Sequence, residues 1–387
     1  MTAKRLAHLE SSFIRDILAL TQKPEIISFA GGLPDPQLFP SDDLATALSH
    51  LMQEEPSTIY QYGETQGIPA LRHWIADNLS DHPQQPDNIL ITAGAQQGLD
   101  LIARCLLNPG DKVLIEAPSY LGAIQTFTAS EAELISVEMT SEGPDLDKLE
   151  TILAEQQITA FYCIPNFQNP TGISYSRKTR LALAELLQRH EVWVIEDDPY
   201  GALRYRGEAL PSLQSLLPDQ TLYLGSFSKI VSPGLRIGWV TAPEQLAAAL
   251  SKMKQVTDLH TSTLSQQLLL HYLRQDKLMP HITKLRTVYG ERLDAMQTAL
   301  QDNLPKEISA SSPEGGMFLW LELPQTIDSM ELVYPAIEQG VAFVPGIAFY
   351  TGEGKASNCL RLNFTNTDTK GIEQGIVRLA QVLNRTA

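Results

Sequence analysis

Residues 222–240 read LYLGSFSKIVSPGLRIGWV. An apolar strand end (Leu222, Tyr223, Leu224) runs into a small, hydroxyl-rich turn, Gly225-Ser226-Phe227-Ser228, and then into Lys229. Arg236 follows in a second apolar segment. Lysine normally keeps its head in water, so a lysine bracketed by apolar residues and small hydroxyls is unusual. Desolvation and a neighbouring cation both disfavour the ammonium and lower its pKa. A neutral amine is a nucleophile that condenses with an aldehyde to a Schiff base. Ser226, Ser228 and Arg236 supply two hydroxyls and a guanidinium fork, the donors a phosphate needs. Together they describe a pocket for an aldehyde that carries a phosphate. A solvated lysine in a polar turn has the same local pattern, and the residues around the stretch decide between the two.

Upstream, short apolar strands alternate with helices. Strands are expected at 87–92, 112–117, 133–138, 159–164, 192–196, 221–224 and 235–241. Helices are expected at 41–56, 67–80, 93–107, 122–129, 146–156 and 176–190. This alternation predicts an α/β fold with a mostly parallel central sheet and helices on both faces. In such sheets a ligand sits outside the carboxyl ends of the strands. The chemistry-bearing residues fall there: Gly94–Gln96, Pro118–Tyr120, Asn166–Gly172, Asp197–Tyr200 and Ser226–Lys229. The first is a strand, a Gly turn and a helix, which presents free backbone N–H groups to an anion.

The ends of the chain read differently. Residues 11–22 hold an amphipathic segment, and SFAGGLPDP follows, whose Gly31, Gly32, Pro34 and Pro36 exclude a helix or a central strand. Residues 243–276 and 280–303 are largely helical, with Pro280 between them as the expected hinge. EGGMFLWLELP, GVAFVPGIAF and CLRLNFT then give short strands without regular alternation. The expected division is a large domain over 47–279 and a smaller α+β domain over 280–387. The N-terminal arm, 1–46, joins the latter.

With 387 residues the chain is long enough for two such units. The net charge of −16 argues against nucleic acid as a partner, because non-specific binding there comes from Lys and Arg on phosphates. No apolar run approaches the roughly 20 residues that span a bilayer, so no membrane is expected. The opening MTAKRLAHLESSF lacks a signal-peptide apolar core, and the expected compartment is the cytoplasm. Cys105, Cys163 and Cys359 lie far apart with no CxxC, which points to reduced thiols rather than disulfides or zinc. The eight histidines form no metal-ligand spacing.

PNFQNPTG, EDDPYG and SFSKIVSPGLRIGW, in that order and spacing, resemble the class I/II aminotransferases among the fold-type I pyridoxal-phosphate enzymes. SFIRDILALTQ, SFAGGLP, YQYGETQG, TAGAQQGLDL and EAPSYLGAIQ resemble most the 2-aminoadipate and kynurenine aminotransferase II branch. The resemblance implies pyridoxal 5′-phosphate as cofactor. It also implies a ping-pong exchange of an amino group between an L-amino acid and a 2-oxo acid, with glutamate and 2-oxoglutarate as the common couple. The candidate donors are 2-aminoadipate and aromatic or branched aliphatic amino acids.

Residue roles carry over motif by motif. Lys229 matches the Schiff-base lysine, which also moves the proton at the substrate Cα. Asp197 matches the carboxylate facing the pyridine nitrogen, with Asp198 as a competing neighbour. Tyr200 and Asn169 match the donors to the ring oxygen, and Tyr120 the residue that stacks on the ring. Ala95, Gln96, Ser226, Ser228, Arg236 and Tyr62 match the phosphate ligands. The family's counterpart of Tyr62 comes from the other subunit, which implies a homodimer with a composite site. Arg361 matches the arginine that takes the α-carboxylate in two parallel bonds. Gly31 and Gly32 line the substrate side, and Arg15 is the candidate for a distal substrate carboxylate. A β-lyase or decarboxylase on the same scaffold shares these groups, because fold does not fix the reaction. A regulatory domain behind a DNA-binding module is the third reading, and the acidic charge opposes it.

Overall fold

A computed structural model describes residues 23, 25–54, 57, 59–351 and 357–386. The first nine strands are β1 (Ile27–Ser28), β2 (Ile89–Thr92), β3 (Lys112–Ala117), β4 (Glu133–Thr140), β5 (Gly143–Pro144), β6 (Ala160–Cys163), β7 (Trp193–Asp197), β8 (Thr221–Ser226) and β9 (Gly238–Thr241). The last five are β10 (Ser309–Ala310), β11 (Phe318–Glu322), β12 (Val341–Ala342), β13 (Val344–Pro345) and β14 (Cys359–Asn363). The large sheet runs β2-β9-β8-β7-β6-β3-β4-β5. Strands β8, β7, β6, β3 and β4 are mutually parallel. β9 is antiparallel to both its neighbours, and β5 to β4.

Both faces of this sheet are buried, and strand alternation sorts the side chains between them. Val113, Ile115, Ala160, Tyr162 and Ile195 pack into one core with residues of the helices Ala95–Leu106 and Leu121–Ala129. Leu114, Phe161, Cys163 and Val194 pack into the other with the helices Leu146–Glu155 and Arg177–Leu187. Those helices start where the sequence provides caps: Asp145 accepts from Lys148 N and Ser176 from Thr179 N. Breaking either cap costs about 1 kcal/mol.

The C-terminal third forms a four-stranded antiparallel sheet, β10-β11-β14-β13. The segment 27–30 is sewn to it. β1 pairs in parallel with β12, Phe29 N donates to Ala342 O at 2.8 Å, and Asn363 N donates to Phe29 O at 2.8 Å. A buried ion pair, Arg292 to Asp35 at 2.6 Å, ties the following loop to the long helix Leu278–Asn303.

Three local expectations change. Pro280 lies in the first turn of the helix Leu278–Asn303, where its missing N–H has no intrahelical partner to lose. The helical stretch 243–276 is two helices, Glu244–Asp258 and Thr263–Leu273. Leu259, at φ 68°, ends the first, and Ser262 caps the second by accepting from Ser265 N. The strand expected at 235–241 begins only at Gly238, because Arg236 takes the left-handed conformation.

Candidate active site

The carboxyl ends of β2, β3, β6, β7 and β8 open on one cavity of about 540 Å³. Its lining includes Ala95, Gln96, Tyr120, Asn169, Asp197, Tyr200, Ser226, Ser228, Lys229, Arg236 and Arg361, and Gly32 on the opposite wall. Most of the cofactor and substrate candidates read from the sequence therefore meet there. Gly31 is buried beside the lining without being part of it. Tyr62 is 77% exposed, outside this cavity, with its ring edge-on to His260 at 5.7 Å. Arg15 and the amphipathic segment around it lie outside the described residues.

Register explains one end of the cavity. Ser226 of β8 and Thr92 of β2 both stand opposite Gly238 of β9. That row brings the turn after β2, the turn after β8 and the approach to β9 together. Gly94, at φ 85°, begins the helix Ala95–Leu106 with no side-chain cap, and the N–H groups of Ala95 and Gln96 lack intrahelical partners. A Cβ at Gly94 would lie 2.5 Å from Arg236 Nη2. Only glycine gives the left-handed turn and the room for the guanidinium. Arg236 Nη2 donates to Ala93 O at 2.8 Å, and the Ser226 and Ser228 hydroxyls are 2.9 Å apart. A helix N-terminus, two hydroxyls and an arginine converge, and that donor set suits a phosphate dianion.

Strand parity separates the two aspartates. Asp197 follows Ile195 onto the cavity face, while Glu196 and Asp198 face away. Tyr162, two strand positions from the cavity-facing Ile164, donates its hydroxyl to Asp197 Oδ2 at 2.8 Å. Asp197 Oδ1 is buried without a partner. Burial pushes this carboxyl up to about 7, and the Tyr162 bond only partly offsets it. An orphaned acceptor at the foot of a cavity calls for a donor from a ligand. Asp198 instead accepts from Gly201 N at 2.8 Å, Tyr223 Oη at 3.0 Å and Asn166 Nδ2 at 3.1 Å, which fastens the turn that carries Tyr200.

Lys229 Nζ donates to Gly32 O at 2.6 Å. Burial, with Arg361 and Arg236 nearby, pulls the amine down to about 8. Arg361 Nη1 donates to Asn169 Oδ1 and Nη2 to Ala30 O, each at 2.7 Å. Its guanidinium lies between the rings of Phe318 (4.3 Å) and Phe349 (4.9 Å), and its Nε is buried without a partner. Burial lowers Arg361 to about 10. Burial also pushes the Tyr200 hydroxyl up, with Asn169 as its hydrogen-bonding neighbour. Tyr162, Phe318, Phe349 and the carbonyl of Ala30 were not legible as site residues. The parity of 160–164 against 193–197 was the one available signal, and it points to Tyr162.

Comparisons with known proteins identify the family. The family model for aminotransferase class I and II matches residues 25–379. The chain belongs to that family. It is 41% identical over 385 residues to a 2-aminoadipate transaminase of Thermus thermophilus, covering 98% of this chain and 96% of that protein. The crystal structure of Pyrococcus horikoshii kynurenine aminotransferase, in complex with PMP and with kynurenine as substrate, superposes with a TM-score of 0.95. It has 38% identity and covers 100% of this chain and 97% of that one. The alpha-aminoadipate aminotransferase of Thermus thermophilus, complexed with N-(5′-phosphopyridoxyl)-L-leucine, has a TM-score of 0.93 and 39% identity. It covers 99% of this chain and 97% of that one. This class I/II aminotransferase uses pyridoxal 5′-phosphate, and its residues fit that cofactor: a phosphate donor set, a lysine of lowered pKa and an unpartnered buried carboxylate oxygen. Among the described residues no helix is long and apolar enough to cross a membrane, and no group of His, Cys, Asp and Glu could hold a metal ion.

Proposed function

We propose that the enzyme exchanges an amino group between an L-amino acid and a 2-oxo acid in two half-reactions, with glutamate and 2-oxoglutarate as the common couple. The observation that carries this reading is the convergence of Lys229, the orphaned Asp197 Oδ1 and Arg361 on one cavity. When bound, pyridoxal phosphate supplies an aldehyde carbon and a ring that draws electrons from the substrate Cα. Lys229 Nζ, as the neutral amine, would hold that aldehyde, and would take and return the Cα proton. Asp197 would hold the ring nitrogen and its proton through Oδ1, the oxygen Tyr162 leaves free. Tyr200 and Asn169 would hold the ring oxygen, and Tyr120 would pack on the ring. Ala95, Gln96, Ser226, Ser228 and Arg236 would hold the phosphate.

Arg361 takes the substrate α-carboxylate, with the Gly31-Gly32 loop behind it. The flanking phenyl rings keep water from the guanidinium and strengthen the pairing. The donors are 2-aminoadipate, aromatic and branched aliphatic amino acids. The named substrates and ligands of the relatives above support this range, and Arg15 serves the distal carboxylate of the first. Tyr62, exposed on this chain, completes the phosphate site of a second copy, so the working unit is a homodimer.

The test is a screen of amino donors against 2-oxoglutarate with glutamate as the measured product, on the wild type and Lys229→Ala. Glutamate from 2-aminoadipate, with none from the variant, is expected. Pyruvate and ammonia from a cysteine conjugate, without glutamate formation, would instead identify a β-lyase.

A further inference from the structure

Glu116 is a buried carboxyl group that none of the roles above uses. It is the penultimate residue of β3 and 1% exposed. Alternation sets it with Leu114 on the sheet face away from the cavity. No lysine or arginine pairs with it among the described residues. An unpaired carboxylate in a core is costly unless hydrogen bonds compensate it. Burial pushes this one up to about 8 against the donors that favour its anion.

Those donors come from one segment. Ile164 N donates to Oε1 at 3.3 Å, Tyr175 Oη to Oε1 at 2.5 Å, and Gln168 Nε2 to Oε2 at 2.8 Å. Together they span the excursion from β6 that carries Asn169. The Gln168 amide has only one workable orientation. Its Nε2 also donates to Pro118 O at 2.7 Å, and its Oε1 accepts from Thr171 N at 3.2 Å and Thr171 Oγ1 at 2.6 Å. Flipping it would set N–H against N–H at Thr171 and oxygen against oxygen at Pro118. Glu116 therefore meets donors on both oxygens. The loop backbone closes on the same residue, with Gln168 N donating to Ile173 O at 2.8 Å and Gly172 N to Gln168 O at 2.6 Å. Asn169, the next residue, receives the bond from Arg361.

We propose that Glu116 is a positioning residue: from behind the sheet its carboxylate fixes Gln168, and through Gln168 it holds the Asn169 amide between Arg361 and the cavity. This rests on the aminotransferase reading of the cavity. Glu116 touches neither substrate nor cofactor. It acts by denying the loop the alternative positions in which Arg361 would lose its partner.

The experiment compares wild type, Glu116→Gln, Glu116→Asp and Gln168→Leu. Assays are run above pH 8, where the carboxyl is ionised, so that glutamine at 116 keeps the shape but turns one acceptor into a donor facing donors. Aspartate keeps the acceptors and is one methylene short. For Glu116→Gln, KM for both the amino donor and the oxo acid should rise about tenfold, with kcat changed less. The pH midpoint of the visible absorbance of the cofactor-loaded enzyme should shift. Hydrogen exchange of the cofactor-free protein should quicken at residues 168–172 but not in the helix Glu244–Asp258. Glu116→Asp should recover part of each change, and Gln168→Leu should reproduce the pattern even if Glu116→Gln does not fold. In an Asn169→Ala background Glu116→Gln should add nothing to KM. Wild-type KM, midpoint and exchange in a folded Glu116→Gln or Gln168→Leu protein would overturn the proposal. If the wild type itself formed no glutamate, the functional reading would fall, and the exchange of residues 168–172 would still decide whether Glu116 holds the loop.

Discussion

Arg361 Nη1 and Asn169 Oδ1 meet at 2.7 Å across 192 residues of sequence, one on β14 of the small sheet and the other in the loop after β6 of the large one. The second guanidinium nitrogen on that edge is held by Ala30 O, from the segment that pairs with β12. Three separate parts of the chain thus aim one fork. The aromatic rings of Phe318 and Phe349 pack against the guanidinium, which lines the cavity.

Replacing Arg361 by Ala should lower kcat/KM for amino donor and oxo acid alike, by a factor on the order of 10²–10³ and chiefly through KM. Arg361→Lys should recover only part of the loss, because an ammonium cannot form two parallel bonds to a carboxylate. Steady-state kinetics with both substrates checks this. A loss confined to one substrate would separate Arg361 from the shared α-carboxylate.

The neighbouring aspartates should behave unlike each other. Asp197→Asn should cost roughly 10²–10³ in kcat, the scale seen when one preorganised electrostatic partner is removed. Asp198→Asn should change kcat less. It weakens the bonds from Gly201 N, Tyr223 and Asn166, and should lower stability by about 1–3 kcal/mol. Single-turnover kinetics and thermal melts of both variants test the contrast, and equal losses in kcat would contradict the parity argument.

The amine of Lys229 sets a pH dependence in the cofactor-free protein. Its folded pKa, about 8, lies below the ordinary lysine value of 10.5. Between those values the unfolded chain binds more protons than the folded one, so stability rises with pH across that window. Below about 8 the whole penalty of the buried ammonium is present. Lys229→Met should therefore be more stable than wild type at pH 7, by an amount on the order of 2–3 kcal/mol, with the gap closing toward about pH 10.5. Urea melts at several pH values measure it. A gap that does not change with pH would mean the amine is solvated.

Tyr62 offers a test of the composite site. Tyr62→Phe should weaken cofactor binding about tenfold, the value of one hydrogen bond to a charged group. A hybrid of one Lys229→Ala subunit and one Tyr62→Phe subunit contains one complete site if Tyr62 crosses between copies. Half of the cofactor should then bind with wild-type affinity. Weak binding at every site of the hybrid would confine Tyr62 to its own chain.

The alternation of strands and helices, the polar residues at strand ends and the motif around Lys229 were all readable in one dimension, because they depend on local periodicity and on turn chemistry. So was the donor set at one end of the cavity, where Gly94, Ser226, Ser228 and Arg236 belong to short consecutive segments. Which aspartate faces the cavity needed only strand parity with Ile195. What the tertiary structure alone decided is the company of these residues. Tyr162 beneath Asp197, Gln168 fastened to Glu116, and Arg361 between Phe318 and Phe349 all depend on the spatial order of strands and on how the small sheet seats against the large one. Those pairings are set by hydrogen-bond register and side-chain packing between segments far apart in the chain, which no local pattern of residues displays.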